Sequence, residues 1–247
     1  MDVREFENLM KADIEEVFTN ILAEHDYLFP ISARSRSGAE ISDYLEDSFV
    51  EYLNNHPHDR IYNPKGAPKG ATKNPYDFCF NYKCEEYNYD DLIWGDIKAT
   101  KFSYADSNPD LGTPEKIITF IMDGHFYLMF VFLEYDATDD NKTKFRQFSD
   151  GRYVHCQFLK DINHTVRINP KPQFQVNISE PEEYRTREEF LELFYTKYQE
   201  SIERIIEKQT KKKLELDDRF DELSRRLLLY AEKIKIDQKG NIFYNKT

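Results

Sequence analysis

Two short segments carry residue types that could do chemistry together. Asp96-Ile97-Lys98 sets a carboxylate, an apolar group and an ammonium in a row. On a strand, side chains alternate between faces, so Asp96 and Lys98 share one face while Ile97 enters the core behind it. Asp77 lies nineteen positions earlier, directly after Asn74-Pro75-Tyr76, at the start of another strand-like run. Neighbouring strands are about 4.8 Å apart, close enough to bring its carboxylate against that of Asp96. Two carboxylates at a strand end, with phosphate oxygens and water, make the oxygen-rich partial shell that Mg²⁺ prefers. The tripeptide alone discriminates little, because Asp140-Asn141-Lys142 and Asp237-Gln238-Lys239 also match it, though with polar centres and outside strong strand patterns. Singly, each acid is an ordinary strand-edge charge; the combination points to metal-assisted hydrolysis.

Several elements must position these groups. Phe6, Leu9, Met10, Ile14, Val17 and Phe18 recur at helical spacing and predict an amphipathic helix within residues 1–28. A second helix is expected from about Ala39 to Leu53, with Ile41, Tyr44, Leu45, Phe49, Tyr52 and Leu53 on one stripe. Asn54 to Asn74 holds Pro57, Pro64, Pro68, Gly66 and Gly70 and reads as a long loop. Tyr76–Tyr82 and Leu92–Thr100 read as an antiparallel strand pair. Thr113-Pro114-Glu115 opens a short helix to Met122, and Phe126 to Tyr135 is the most hydrophobic run, a buried central strand. Strand-like pieces recur at Tyr153–Leu159 and Phe174–Ile178. From Thr186 to about Lys235 the pattern is helical, with a break expected at Lys211-Lys212-Lys213. The fold class expected is α/β, a mixed central sheet flanked by helices, in one domain spanning 1–247.

Composition bounds what such a fold can be. With 247 residues, 40% of them hydrophobic, the chain can bury a large core and is not disordered. Thirty-four basic against 46 acidic residues give a net charge of −12, which excludes a uniformly basic nucleic-acid coat but not a local patch. No run approaches the roughly 20 apolar residues of a membrane span, and Met1-Asp2-Val3-Arg4-Glu5 is acidic where a signal peptide is basic, so a cytoplasmic protein is expected. Cys79, Cys84 and Cys156 are too few for a disulfide framework, and with His155 they match no common zinc spacing. His125 and His155 lie beside strand patterns without a partner at metal spacing and read as structural, and His56, His58 and His164 read as loop residues. Most of the 17 Tyr and 19 Phe fall on apolar stripes, which favours core packing over base stacking. No Gly-x-Ser-x-Gly, phosphate-binding loop or dinucleotide fingerprint occurs.

On these residues the chain resembles the PD-(D/E)xK nuclease superfamily and, within it, type II restriction endonucleases. Asn74-Pro75-Tyr76-Asp77 stands where that family has Pro-Asp, with one inserted residue, and Asp96-Ile97-Lys98 matches (D/E)-x-K with its hydrophobic centre. Arg34-Ser35-Arg36-Ser37-Gly38 leading into a helix is similar to the family's segment that carries a metal-assisting glutamate, with Glu46 favoured and Glu40 its rival. Phe174–Ile178 followed by Tyr184–Phe190 resembles the strand-then-helix ending of the blunt-cutting EcoRV and HincII type. The likeness runs from about residue 34 to 206. It implies Asp77, Asp96 and Ile97 as the metal set for Mg²⁺, with Glu46 or Glu40 assisting. Lys98 would orient the attacking water, and hydrolysis would proceed in line without a covalent intermediate. It also implies a double-stranded DNA substrate and a homodimer.

DNA contacts are expected from regions of local positive charge. Residues 60–73 carry +4 and residues 141–172 carry +5, leaving −21 on the other 201. In the candidate DNA-contacting loop, 60–74, Asn63, Lys65, Lys69, Thr72, Lys73 and Asn74 could reach phosphates or base edges. Arg34, Arg36, Lys101, Lys142, Lys144, Arg146, Arg167 and Lys171 complete the candidate set. The alternatives are a structure-selective or repair nuclease with the same centre, and a DNA- or protein-binding module whose acidic edge is incidental.

Overall fold

A computed structural model describes residues 2–32, 37–67, 76–102, 108–168, 172–176, 180–236 and 242–244. They form two compact units, residues 1–197 and 198–247. The first opens with α1 (Val3–Glu24), whose N-terminus is closed by a capping box between Asp2 and Glu5. Its stripe of Phe6, Met10, Ile14, Val17, Phe18, Ile21 and Leu22 is buried. After β1 (Leu28–Ser32) comes α2 (Ser37–Asn55), with Ile41, Leu45, Phe49 and Leu53 buried at i, i+4 spacing. Phe49 packs on Phe18, Phe78 and Phe80, so truncating it to Ala removes about 3–5 kcal/mol of stability.

The main sheet is mixed. Its strands are β2 (Ile61–Gly66), β3 (Phe78–Cys84), β4 (Tyr89–Lys101), β6 (Leu128–Ala137), β7 (Lys142–Arg146) and β8 (Val154–Phe158), together with β1. They run in the order β1-β7-β6-β4-β3-β2, and β8 pairs with β6 beside β7. β4 and β6 are parallel, while the other pairs are antiparallel. α1 and α2 cover one face. On the other face lie α3 (Pro114–Met122), the start of α4 (Arg187–Lys233) and a three-stranded sheet of β5 (Asp110–Gly112), β9 (His164–Arg167) and β10 (Gln173–Val176). Because β6 is buried on both faces it reads as one apolar run: Met129, Val131 and Leu133 enter the first core, and Leu128, Phe130 and Phe132 the second. The second unit holds α4 from Tyr198 onward and a hairpin of β11 (Ile234–Ile236) with β12 (Ile242–Tyr244).

The α/β class, the antiparallel β3–β4 pair, the central strand and the Thr113-capped α3 match the sequence-based expectations. Three features differ. Part of the expected loop is β2, an edge strand; the outermost position tolerates Pro64, and a register shift between Tyr62 and Lys65 absorbs Asn63 at φ 50°. α4 runs unbroken through Lys211-Lys212-Lys213, since lysine is a good helix former and no Gly or Pro interrupts it. β1, β5, β7 and β9 were hidden because short strands at or near edges need little apolar alternation. Among the described residues no helix is long and apolar enough to cross a membrane.

Candidate active site

The site begins with a glycine. A Cβ on Gly95 would lie 2.1 Å from the Phe78 ring, so only glycine lets Phe78 seat across from it and hold the β3–β4 register. One step beyond the Phe78–Gly95 pair, the Asp77 N–H donates to the Gly95 carbonyl at 2.7 Å, which places Asp77 opposite Asp96. The Asp77 carboxylate (Oδ2) accepts from the Ile97 N–H at 2.8 Å, the main-chain group between Asp96 and Lys98. Ile97 is buried in the first core. Asp96 and Lys98 stand on the opposite face beside Phe130 and Phe132 of β6, and Lys98 Nζ lies 5.8 Å from the Phe130 ring centre.

Lys98 Nζ is 2.5 Å from Asp96 Oδ1, yet that buried oxygen has no partner in hydrogen-bond geometry. Burial is the main force on the Asp96 carboxyl and pushes its pKa up to about 7; Lys98 opposes the rise and the charge of Asp77 adds to it. Burial likewise raises Asp77, against the Ile97 hydrogen bond and the Lys98 charge. For Lys98, burial works against the charged form, but Asp96 and Asp77 outweigh it, so its pKa rises. A group of desolvated carboxylates sharing one ammonium is short of positive charge.

α2 supplies the remaining acid. A Cβ on Gly38 would come within 2.9 Å of the Ala99 carbonyl, so glycine lets the helix lie close on β4, where the Ser42 hydroxyl reaches the Ile97 carbonyl at 3.0 Å. One turn further, Glu46 Oε1 accepts from the Ala67 N–H at 2.8 Å, and Gly66 leaves it room, since a Cβ there would approach that oxygen to 2.4 Å. The Glu46 pKa is pushed up to about 7, by burial first; the Ala67 hydrogen bond opposes this, and the charges of Asp77, Asp47 and Asp43 add to it. Glu40, its rival in the sequence, is exposed on the first turn of the helix.

Sequence inspection passed over three groups. Asp43 feels both Asp77 and Glu46, Lys116 of α3 acts on Asp96, and Asp110 of β5 acts on Lys98. Asp43 stands one turn before Glu46 and could have been found; the other two come from elements whose approach no local pattern announces.

The candidate DNA contacts divide in three. Arg34, Arg36, Lys69, Thr72, Lys73, Asn74 and Lys171 lie outside the described residues. Others have acidic partners: Arg167 holds Asp110 at 2.6 Å and also bonds Gln173, Lys142 pairs with Asp140, and Arg146 stacks on Phe102 at 3.7 Å beside Asp136. Asn63, Lys65 and Lys144 are exposed, and Lys101 is half-buried at the end of β4. The positive surplus counted along the chain is thus largely spent in space, because Arg60 pairs with Asp13, Arg152 with Glu15 and Asp150, and Lys160 with Glu7 and Asp161. The strand registers do set Lys144 and Arg146 on the same face as Asp96 and Lys98, through Asp136 and Glu134 of β6.

Among the described residues no three His, Cys, Asp or Glu side chains stand at metal-binding spacing. Two carboxylates and a main-chain carbonyl are nevertheless a fitting donor set for a hard divalent cation: all are oxygens, and a cation would offset the cost of burying both acids.

An α/β fold with an acid pair and a lysine converging across two strands has the groups that metal-assisted hydrolysis uses. The chain belongs to the SwaI-like restriction endonuclease family, whose model, described as SwaI restriction endonuclease, matches residues 2–216. It is thus a type II site-specific deoxyribonuclease. The solved structure of NlaIV restriction endonuclease aligns at 11% identity with a TM-score of 0.46, covering 74% of this chain and 78% of that one. No curated protein matches the chain.

Proposed function

We propose that the protein hydrolyses phosphodiester bonds of double-stranded DNA at a specific sequence with Mg²⁺ as cofactor, and that Asp77, Asp96 and Lys98 carry the reaction. The observation behind this is the bond from the Ile97 N–H to Asp77, which ties the acid of one strand to the Asp-Ile-Lys segment of the next. Asp77, Asp96 and the Ile97 carbonyl would hold the cation. When bound, it supplies Lewis acidity and positive charge at the scissile phosphate.

The rest is done by the chain. Lys98, kept charged by two carboxylates, donates to the attacking water or to a phosphate oxygen and stabilises negative charge that grows in the transition state. Glu46, whose pKa of about 7 makes it a proton acceptor near neutrality, assists from the Gly66 side of the site. Ser42 fixes the Ile97 carbonyl, and Gly95 fixes the register. The exposed Lys65 and Lys144 contact phosphates. A two-fold homodimer would place one such centre on each strand of a palindromic site. A cytoplasmic setting suits three cysteines that remain free thiols.

Incubating the purified protein with DNA of known sequence and Mg²⁺ tests this: discrete fragments are expected, and sequencing their ends tells whether the cut is blunt, as the EcoRV- and HincII-like ending suggests. Asp96→Ala and Lys98→Ala should leave the DNA whole. Intact DNA with the unaltered protein refutes the activity, and cutting by either variant at the normal rate refutes the site.

A further inference from the structure

The second unit exposes a stripe that its own fold does not cover. Ile202, Ile206, Leu216, Phe220, Leu223 and Leu227 of α4 are between 42% and 67% exposed. They fall into one uninterrupted heptad register: Ile202, Leu216 and Leu223 take position d, Ile206, Phe220 and Leu227 take position a, and the d and a positions between them are Gln209 and Lys213. Leu214 and Leu228 lie off this seam. A strict 3.5-residue repeat keeps its apolar line straight only when the helix supercoils around a similar helix, whereas a helix packed on a globular body shows a wider 3.6-period face.

We infer that residues 202–227 form a parallel two-stranded coiled coil between two copies of this chain, about 38 Å long. Charge selects both partner and direction. Of the g positions, Lys212, Arg219 and Arg226 are basic and Ile205 is apolar; of the e positions, Glu203 and Asp217 are acidic and Thr210 and Ser224 are neutral. In a parallel pair each g faces the following e of the other helix, so Lys212 meets the partner's Asp217, twice by symmetry. An antiparallel pair would set g against g, basic on basic. Gln209 and Lys213 favour two strands over three, because only in a two-stranded seam do long polar side chains at d and a reach water.

This surface would serve the two-fold pairing proposed above and rests on that reading only for its purpose, since assembly is measured without DNA or Mg²⁺. Light scattering and sedimentation of the full chain should give a dimer at micromolar concentration. Phe220→Glu with Leu223→Glu should raise the dimer dissociation constant at least ~100-fold, and circular dichroism should confirm an unchanged helix content. Lys212→Glu should weaken assembly, and adding Asp217→Lys should restore it. Under oxidation Leu223→Cys should cross-link to its own counterpart, while Arg225→Cys on the outer face and the unaltered protein should not. A monomer, a dimer indifferent to the two glutamates, or equal cross-linking at 223 and 225 overturns the inference. A dimer that leaves DNA intact refutes the nuclease proposal and leaves the coiled coil standing.

Discussion

The first unit contains two buried lysine–carboxylate clusters, and they are built differently. Around Lys160 the contacts are many: its ammonium reaches Glu7 Oε2 at 2.8 Å, both oxygens of Asp161 at 2.8 and 2.9 Å and the Arg185 carbonyl at 2.9 Å. Tyr127 donates to Glu7, and the Arg185 N–H to Asp161. Around Lys98 the contacts are fewer: the ammonium pairs with Asp96 at 2.5 Å, and Asp77 and Glu46 each accept one main-chain hydrogen bond, while Asp96 Oδ1 and Glu7 Oε2 alike touch their lysines outside hydrogen-bond geometry. The Lys98 side chain keeps 21% of its surface in contact with solvent, against 4% for Lys160. The Lys160 network holds α1 to the loop before α4. The Lys98 group sets Asp77 and Asp96 against one ammonium that is more open to solvent, the access a cation would need to reach them.

Substituting each centre separates them. Asp96→Asn should lower the cleavage rate at least ~1,000-fold while the protein stays folded. Lys160→Ala should cost about 3–5 kcal/mol of stability, because it strands two buried carboxylates, and should leave the rate per folded molecule nearly unchanged. Loss of cutting by folded Lys160→Ala would erase the distinction. Gly95→Ala should combine both effects at smaller size, about 1–3 kcal/mol of destabilisation from driving Phe78 off its seat together with slower cleavage from the displaced Asp77.

The Lys98 centre should also show in the pH dependence of stability. Asp96 binds its proton more tightly folded, up to about pH 7, than unfolded, near 3.8, so without metal its contribution falls as pH rises from about 4 to 7. His164, buried and lowered to about 4, works the other way: its contribution is lost as pH falls from 6.5 towards 4. Denaturant titrations of Asp96→Asn without metal should therefore gain stability relative to the unaltered protein on going from pH 4 to pH 8, on the order of a few kcal/mol. Added Mg²⁺ should raise the melting temperature of the unaltered protein more at pH 8 than at pH 5. Equal shifts at both values would show that the cation does not compete with these protons.

Two weaker effects refine the map. Glu46→Gln should slow cleavage about 10- to 100-fold, well short of Asp96→Asn, because it removes an assisting acid rather than a holding one. Lys65→Ala should weaken DNA binding a few-fold and lower the salt slope by about 1, the mark of one lost phosphate contact. An unchanged slope would remove Lys65 from the interface.

Local order along the chain carried the helices, the paired strands and the acid–x–lysine segment, since each depends on neighbours within a few residues. Phe78 and Ile97 were legible through alternation alone. Arg167 shows where this fails: in sequence it belongs to a basic stretch, yet strand pairing brings it to Asp110, 57 positions away, which takes up one of its terminal nitrogens. Arg60 behaves in the same way towards Asp13. A charge counted in a window says nothing about its partner, because ion pairs form across elements.

By itself the sequence determined the chemical inventory, the α/β class and the heptad of α4, all consequences of residue type and periodicity. Tertiary structure alone decided that Asp77 meets Asp96 through the Gly95–Phe78 contact and that Glu46 rather than Glu40 faces Asp77. It also decided which lysine sits in the denser network and which is the more exposed. Those outcomes depend on register and on the burial of charge, and both exist only once distant segments have closed on one another.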